Sequence, residues 1–224
     1  MVKILPLITF MHSFIIIILI IWSFSPELSM AQILKEEHLR KNSISNKLKE
    51  PIFIIQPKNI RSEVIMMVPG AKQTAYSAGY LGELGVRLYG AEEFRSVYSG
   101  GWKEFREAAL LASRNYLKSI KPVYIKDSAG EIEYALIQSE NPLIIGAIKT
   151  LQFREIFKSK FGPNLLVVMP NRSTILIFSA DKNSLNIYKK TFYQMFIDAI
   201  YPVSREVFLI NSEGLSVIGD LKSP

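Results

Sequence analysis

The stretch Leu165-Leu166-Val167-Val168-Met169-Pro170-Asn171-Arg172-Ser173-Thr174-Ile175-Leu176-Ile177-Phe178 sets two apolar runs on either side of four turn-forming residues. Proline cannot continue a hydrogen-bonded ladder, and asparagine tolerates the left-handed backbone of a tight reversal. The runs 165–169 and 174–178 therefore read as antiparallel strands joined by a hairpin. The same unit recurs on both sides. Segments 123–126 and 132–137 flank Asp127-Ser128-Ala129-Gly130, with glycine where a left-handed residue is wanted. Segments 207–210 and 215–218 flank Asn211-Ser212-Glu213-Gly214.

Between the hairpins the apolar period becomes helical. In 102–120, Trp102, Phe105, Ala109, Ala112, Tyr116 and Ile120 share a face, and Lys121-Pro122 ends the run. In 143–161 the face is Ile144, Ile145, Ile148, Leu151, Ile156 and Phe157, closed by Gly162-Pro163. In 184–200 it is Leu185, Tyr188, Phe192, Met195, Phe196 and Ala199, ended by Pro202. Upstream, Ile52-Phe53-Ile54-Ile55 and 64–68 are short apolar runs bounded by Pro57 and Pro69-Gly70, the pattern of buried strands. The glycine- and tyrosine-rich segment 71–101 reads as strands with bulges. Hairpins make antiparallel pairs. The expected fold is α+β, an antiparallel sheet built from hairpins alternating with three helices packed on one face. Residues 51–224 form one domain, since a single core suits about 170 ordered residues, and the polar, mixed-charge segment 32–50 reads as a linker.

The apolar excess is concentrated at the start of the chain. Of the 224 residues 49% are hydrophobic, yet no charged residue occurs between Ile4 and Pro26, and 14–22 are wholly apolar. Lys3 and the terminal amine give a basic start, and Ser29-Met30-Ala31 puts small residues at the −3 and −1 positions of a cleavage site. Residues 1–31 thus read as a signal peptide, and the protein as exported to the periplasm or cell exterior. The alternative is an anchor formed by residues 4–24, since about 20 apolar residues span a bilayer. Lys35, Arg40 and Lys41 behind that segment would then pull the domain toward the cytoplasm.

Composition excludes several chemistries. With no cysteine there is no disulfide framework, thiolate nucleophile or thiolate-bound metal. The two histidines, His12 and His38, fall in the leader and the linker. No metal site, cofactor or catalytic residue is assigned on this basis. Lys and Arg number 27 against 20 Asp and Glu, a net charge of +7. Loss of residues 1–31 removes one charge of each sign and leaves that balance unchanged. A basic exported domain suits an anionic envelope component or another envelope protein as partner, although mixed charge without long like-charged runs favours a solvated surface with a mild basic bias.

The segment 80–85 (Tyr-Leu-Gly-Glu-Leu-Gly) and Trp102-Lys103-Glu104 leading to Ala108-Ala109 and Asn115 resemble the YtpQ-like bacterial family. So do Ile120-Lys121-Pro122, 166–172 followed by 175–178, and Tyr201-Pro202-Val203-Ser204 with Phe208-Leu209 and Glu213-Gly214. The resemblance covers residues 51–218. It implies no activity and no catalytic residues, because that family has none established. Its members are usually soluble, with an extra N-terminal segment where this chain has its apolar leader.

Four residues stand out as binding candidates. Arg172, at a hairpin tip beside Asn171, offers a planar fork of donors for a carboxylate or phosphate. Plain turn chemistry is the alternative for both. Tyr80 and Glu83 lie in the glycine-spaced segment 79–85, where Glu83 is a carboxylate that folding could bring to Arg172 for hydrolase or transferase chemistry. That segment lacks a phosphate-cradling pattern, so its glycines read as easing a bent strand. Acid pairs along single elements, such as Glu104 with Glu107, cannot face each other across a cleft. No Gly-x-Ser-x-Gly motif occurs, and a serine triad would lack its base. The tyrosines and phenylalanines suggest base stacking, but basic residues are scattered and no nucleic-acid motif is present, so no nucleic-acid partner is expected.

Overall fold

The computed structural model describes residues 49–221, which lie in one compact unit. The leader, its cleavage site, the alternative anchor and His38 lie outside the described residues. Lys49 and Glu50, read from the sequence as the end of a linker, already belong to the fold. Glu50 opens the first strand, and Lys49 Nζ pairs with Glu93 at 2.8 Å.

Two antiparallel sheets carry the fold. The first consists of β1 (Glu50–Pro57), β2 (Ile65–Met67), β3 (Thr74–Gly82) and β4 (Gly85–Leu88). β3 pairs along its length with β1, and its other edge is shared by β2, opposite 75–77, and β4, opposite 79–82. Next come α1 (Ala91–Val97) and α2 (Trp102–Leu117). The second sheet contains the three hairpins side by side: β5 (Val123–Lys126) with β6 (Ile132–Gln138), β7 (Leu165–Asn171) with β8 (Thr174–Ser179), and β9 (Glu206–Asn211) with β10 (Gly214–Asp220). Its strand order is β10-β9-β7-β8-β6-β5, every neighbour antiparallel. Helices α3 (Leu143–Ala147) and α4 (Leu151–Phe161) lie between β6 and β7, and α5 (Ser184–Ile197) between β8 and β9. The fold is therefore α+β with antiparallel sheets.

Three details depart from the sequence expectation. Helices cover both faces of the six-stranded sheet, not one. Val167, Ile175, Ile177 and Phe208 face the main core with α2–α4 and the first sheet. Val168, Leu176, Phe178 and Val207 face the opposite way and are covered by Leu185 and Phe192 of α5. The physical reason is in the strands: 165–169 and 175–178 are apolar at every position, so both faces need cover. Second, residues 91–97 form helix α1 where strands were expected, with Glu92 and Glu93 in its first turn, where the helix dipole favours them. Third, the helix expected over 143–161 is broken at Lys149. There Thr150 takes extended backbone (φ −82°, ψ 142°), and its hydroxyl accepts the Phe153 N–H at 3.2 Å, capping α4.

The main core is aromatic. Phe53 of β1 is fully buried, with its ring 5.2 Å from Phe105 of α2 and 5.8 Å from Tyr76 of β3, both edge-on. Against it α2 and α3 approach closely because position 146 is glycine: a Cβ there would lie 2.5 Å from Ser113 Oγ. Polar bridges join the sheets. The Thr74 and Ser204 hydroxyls bond at 2.6 Å, and Glu206 Oε1 accepts the backbone N–H groups of Lys72 and Gln73 at 2.7 and 3.1 Å.

Candidate functional site

The break between α3 and α4 creates the most distinctive site. A cavity of about 300 Å³ opens where β2 and β3, α2, the α3–α4 junction and the β9–β10 hairpin meet. Its basic residues are Arg106 from α2, Lys149 from the junction and Arg154 from α4, and no aspartate or glutamate lines it. Met66, Leu110, Ile148 and Leu215 make much of the wall apolar, while Tyr76, Thr150 and Asn211 add polar groups.

Lys149 is one of the residues that line it. Its Nζ lies 3.5 Å from the centroid of the Tyr76 ring and 4.6 Å from that of Phe53. No carboxylate lies within ion-pair distance of it among the described residues. Burial disfavours the charged ammonium, and the Arg106 guanidinium adds like-charge repulsion, so the pKa of Lys149 falls to about 7. Tyr76 is 1% exposed, and its hydroxyl is buried without a hydrogen-bond partner among the described residues. Burial raises its pKa well above the usual phenol value, against a smaller opposing effect of Arg106. Such an orphaned hydroxyl costs about 1–3 kcal/mol. Arg154 is held at the rim, donating Nε–H to the Pro163 carbonyl at 3.0 Å, with Glu155 at 3.8 Å from its Nη1. The arrangement suits an anion with an apolar body, because three basic residues and an apolar wall line the same cavity and no carboxylate lines it.

The residues singled out from sequence sit elsewhere. Asn171 Oδ1 accepts the N–H and hydroxyl of Ser173, each at 3.1 Å, which closes the β7–β8 turn. Arg172 is exposed, with its guanidinium 5.1 Å from the Tyr201 ring centroid. The cavity beside it measures about 20 Å³, room for about one water, and its other lining residues are apolar or proline, such as Ile52, Val86 and Pro142. Tyr80 is a core residue, its ring 4.8 Å from Tyr89 and covered by Lys49 Nζ at 4.7 Å. Glu83 is exposed in the β3–β4 turn. No ion pair or hydrogen bond joins Arg172 to Glu83 among the described residues, and Glu83 does not line the small cavity beside Arg172. The turn chemistry of 170–173 is what the geometry displays.

A second cavity of about 290 Å³ contains Glu206 and Asp220 together with Lys72. Arg205 donates to Asp220 Oδ2 at 3.0 Å, so the charge there is mixed. Among the described residues no group of three or more His, Asp or Glu could hold a metal ion, and no helix is long and apolar enough to cross a membrane. Compared with protein-family models, curated proteins and solved structures, the chain matches none of them.

Sequence reasoning missed Lys149 because it read 143–161 as one helix. The available signal was Thr150 ahead of Phe153, Phe157 and Phe161, a capping residue before a run at four-residue spacing.

Proposed function

We propose that this domain is a binding module for small amphipathic organic anions, carried by an exported protein of YtpQ-like type. The observation that carries the reading is a cavity of about 300 Å³ lined by three basic residues, with apolar side chains beside them and no acid in its wall. A cavity of that size suits a small carboxylate or phosphate monoester. Export rests on the leader 1–31, and an anionic envelope component supplies the ligand chemistry most directly. N-terminal sequencing from fractionated cells tests the compartment: a chain starting at Met1 would overturn cleavage and favour an anchor at residues 4–24.

The binding reading is tested by calorimetric titration with phenyl phosphate, using benzyl alcohol as the neutral control. Phenyl phosphate should bind and benzyl alcohol should not. Arg106→Glu should weaken binding by about a hundredfold, near 2.7 kcal/mol. Equal binding of the neutral control, or an unaffected variant, would sink the reading.

A further inference from the structure

We propose that the anions taken by this cavity carry an aldehyde or ketone group, and that Lys149 captures them as an imine, with Arg106 and Arg154 holding the carboxylate. This rests on the anion-binding reading and names the substrate class for the same site.

The geometry places an amine where such chemistry needs it. Lys149 lines the cavity, and its Nζ lies against the faces of two aromatic rings with no carboxylate within ion-pair distance among the described residues. The residue sits at the break between two helices, with α3 fully buried on one side and α4 capped by Thr150 on the other. Its stem is thereby anchored while its amine lies over the Tyr76 ring in the same cavity wall. A surface lysine has neither the desolvation nor the fixed origin.

Desolvation and the neighbouring guanidinium make the neutral amine available near pH 7, where an ordinary lysine is almost entirely protonated. The amine lone pair attacks the carbonyl carbon, forming a C–N bond as the carbonyl oxygen takes up a proton. The resulting carbinolamine loses its hydroxyl as water, with a proton, and the nitrogen sheds its remaining proton to leave C=N. The net change is one carbonyl and one amine giving one imine and one water. No oxidant, reductant or cofactor enters. Two arginines at the same cavity can hold the carboxylate of a 2-oxo acid and present its carbonyl to the amine.

Glyoxylate with cyanoborohydride provides the test, because reduction traps an imine as a stable carboxymethyl amine. The full chain is treated near pH 7, and the modified residues are located by peptide mass mapping. The label should concentrate on Lys149, over other lysines by at least tenfold. It should rise with pH to a midpoint near 7, and phenyl phosphate should protect against it. Lys149→Arg keeps a cation over Tyr76 but cannot form the imine, and should lose the selective label. Lys149→Met provides a second variant, and circular dichroism checks that both are folded. Label spread evenly over surface lysines, unchanged in Lys149→Arg, would overturn the imine. If phenyl phosphate still bound in that case, the anion-binding reading would stand without it. Selective labelling that propanal matched and Arg106→Glu left intact would overturn the anionic substrate class.

Discussion

Among the cations that rest on tyrosine rings in this domain, Arg172 and Lys149 are worth different things. Arg172 lies 5.1 Å from the Tyr201 centroid at an exposed hairpin tip; Lys149 lies 3.5 Å from that of Tyr76 at a seam between two sheets. Arginine is the better recognition group by its intrinsic geometry, since its planar fork matches carboxylate and phosphate. Position reverses that ranking. At the tip, water screens the charge, the adjacent space holds about one water, and the neighbouring asparagine is occupied with Ser173. At the seam, the amine is packed against two aromatic rings, and the ammonium is both costly to keep and strongly felt by any anion that enters.

The comparison can be broken in three ways, in decreasing order of effect. Gly146→Ala pushes a methyl toward Ser113 Oγ at the α2–α3 contact that seats the junction before Lys149. Overpacking of this kind costs about 1–3 kcal/mol, and a urea melt should register it with weakened anion binding. Stability near wild type with unchanged binding would show that the seat of α3 does not matter to the site.

The pH dependence is the second. The folded pKa of Lys149 lies below its ordinary value, so between about 7 and 10.5 the unfolded chain binds more protons than the folded one at this residue. Its contribution therefore becomes more stabilising as pH rises through that window, and below about 7 the penalty for burying the ammonium is fully present. The groups that face it are Tyr76 from β3, Arg106 from α2 and Arg154 from α4, and none supplies a negative charge near pH 7. The stability difference between wild type and Lys149→Met should shift in favour of wild type from pH 7 to pH 9. A flat difference would mean that the lysine is solvated.

The third is the smallest. Arg172→Ala removes an exposed cation–aromatic contact worth about 0.5–1 kcal/mol, and phenyl phosphate binding should change less than twofold. A tenfold loss would restore the hairpin tip as a binding surface.

The hairpins were legible from sequence because their turns announce themselves. Gly130 and Gly214 take positive φ where the reading wanted left-handed residues. The cover on both faces of the large sheet was also written in residues 165–169, but one-sided packing was read instead. The binding cavity was not legible. Its walls come from residues 66–76, 106–110, 148–154 and 210–215, and only the three-dimensional pairing of two sheets makes them neighbours. A lysine in a helical register looks like any solvated lysine until the helix is known to break beside it. Arg172 was conspicuous for the opposite reason, because a turn sequence advertises exposure, and exposure weakens an ionic contact.

The cavity takes its walls from both sheets and from the helices between them. Whatever fills it is therefore a rivet through the domain, touching strands that separate only when the whole structure opens. A rivet that binds the folded chain alone stabilises it in proportion to the logarithm of its concentration, by about 2.7 kcal/mol at a hundredfold excess over Kd, and the melting temperature rises with it. The domain is in that sense a thermometer for its own ligand, and a melting curve across small oxyanions and oxo acids can name the compound before any activity is known.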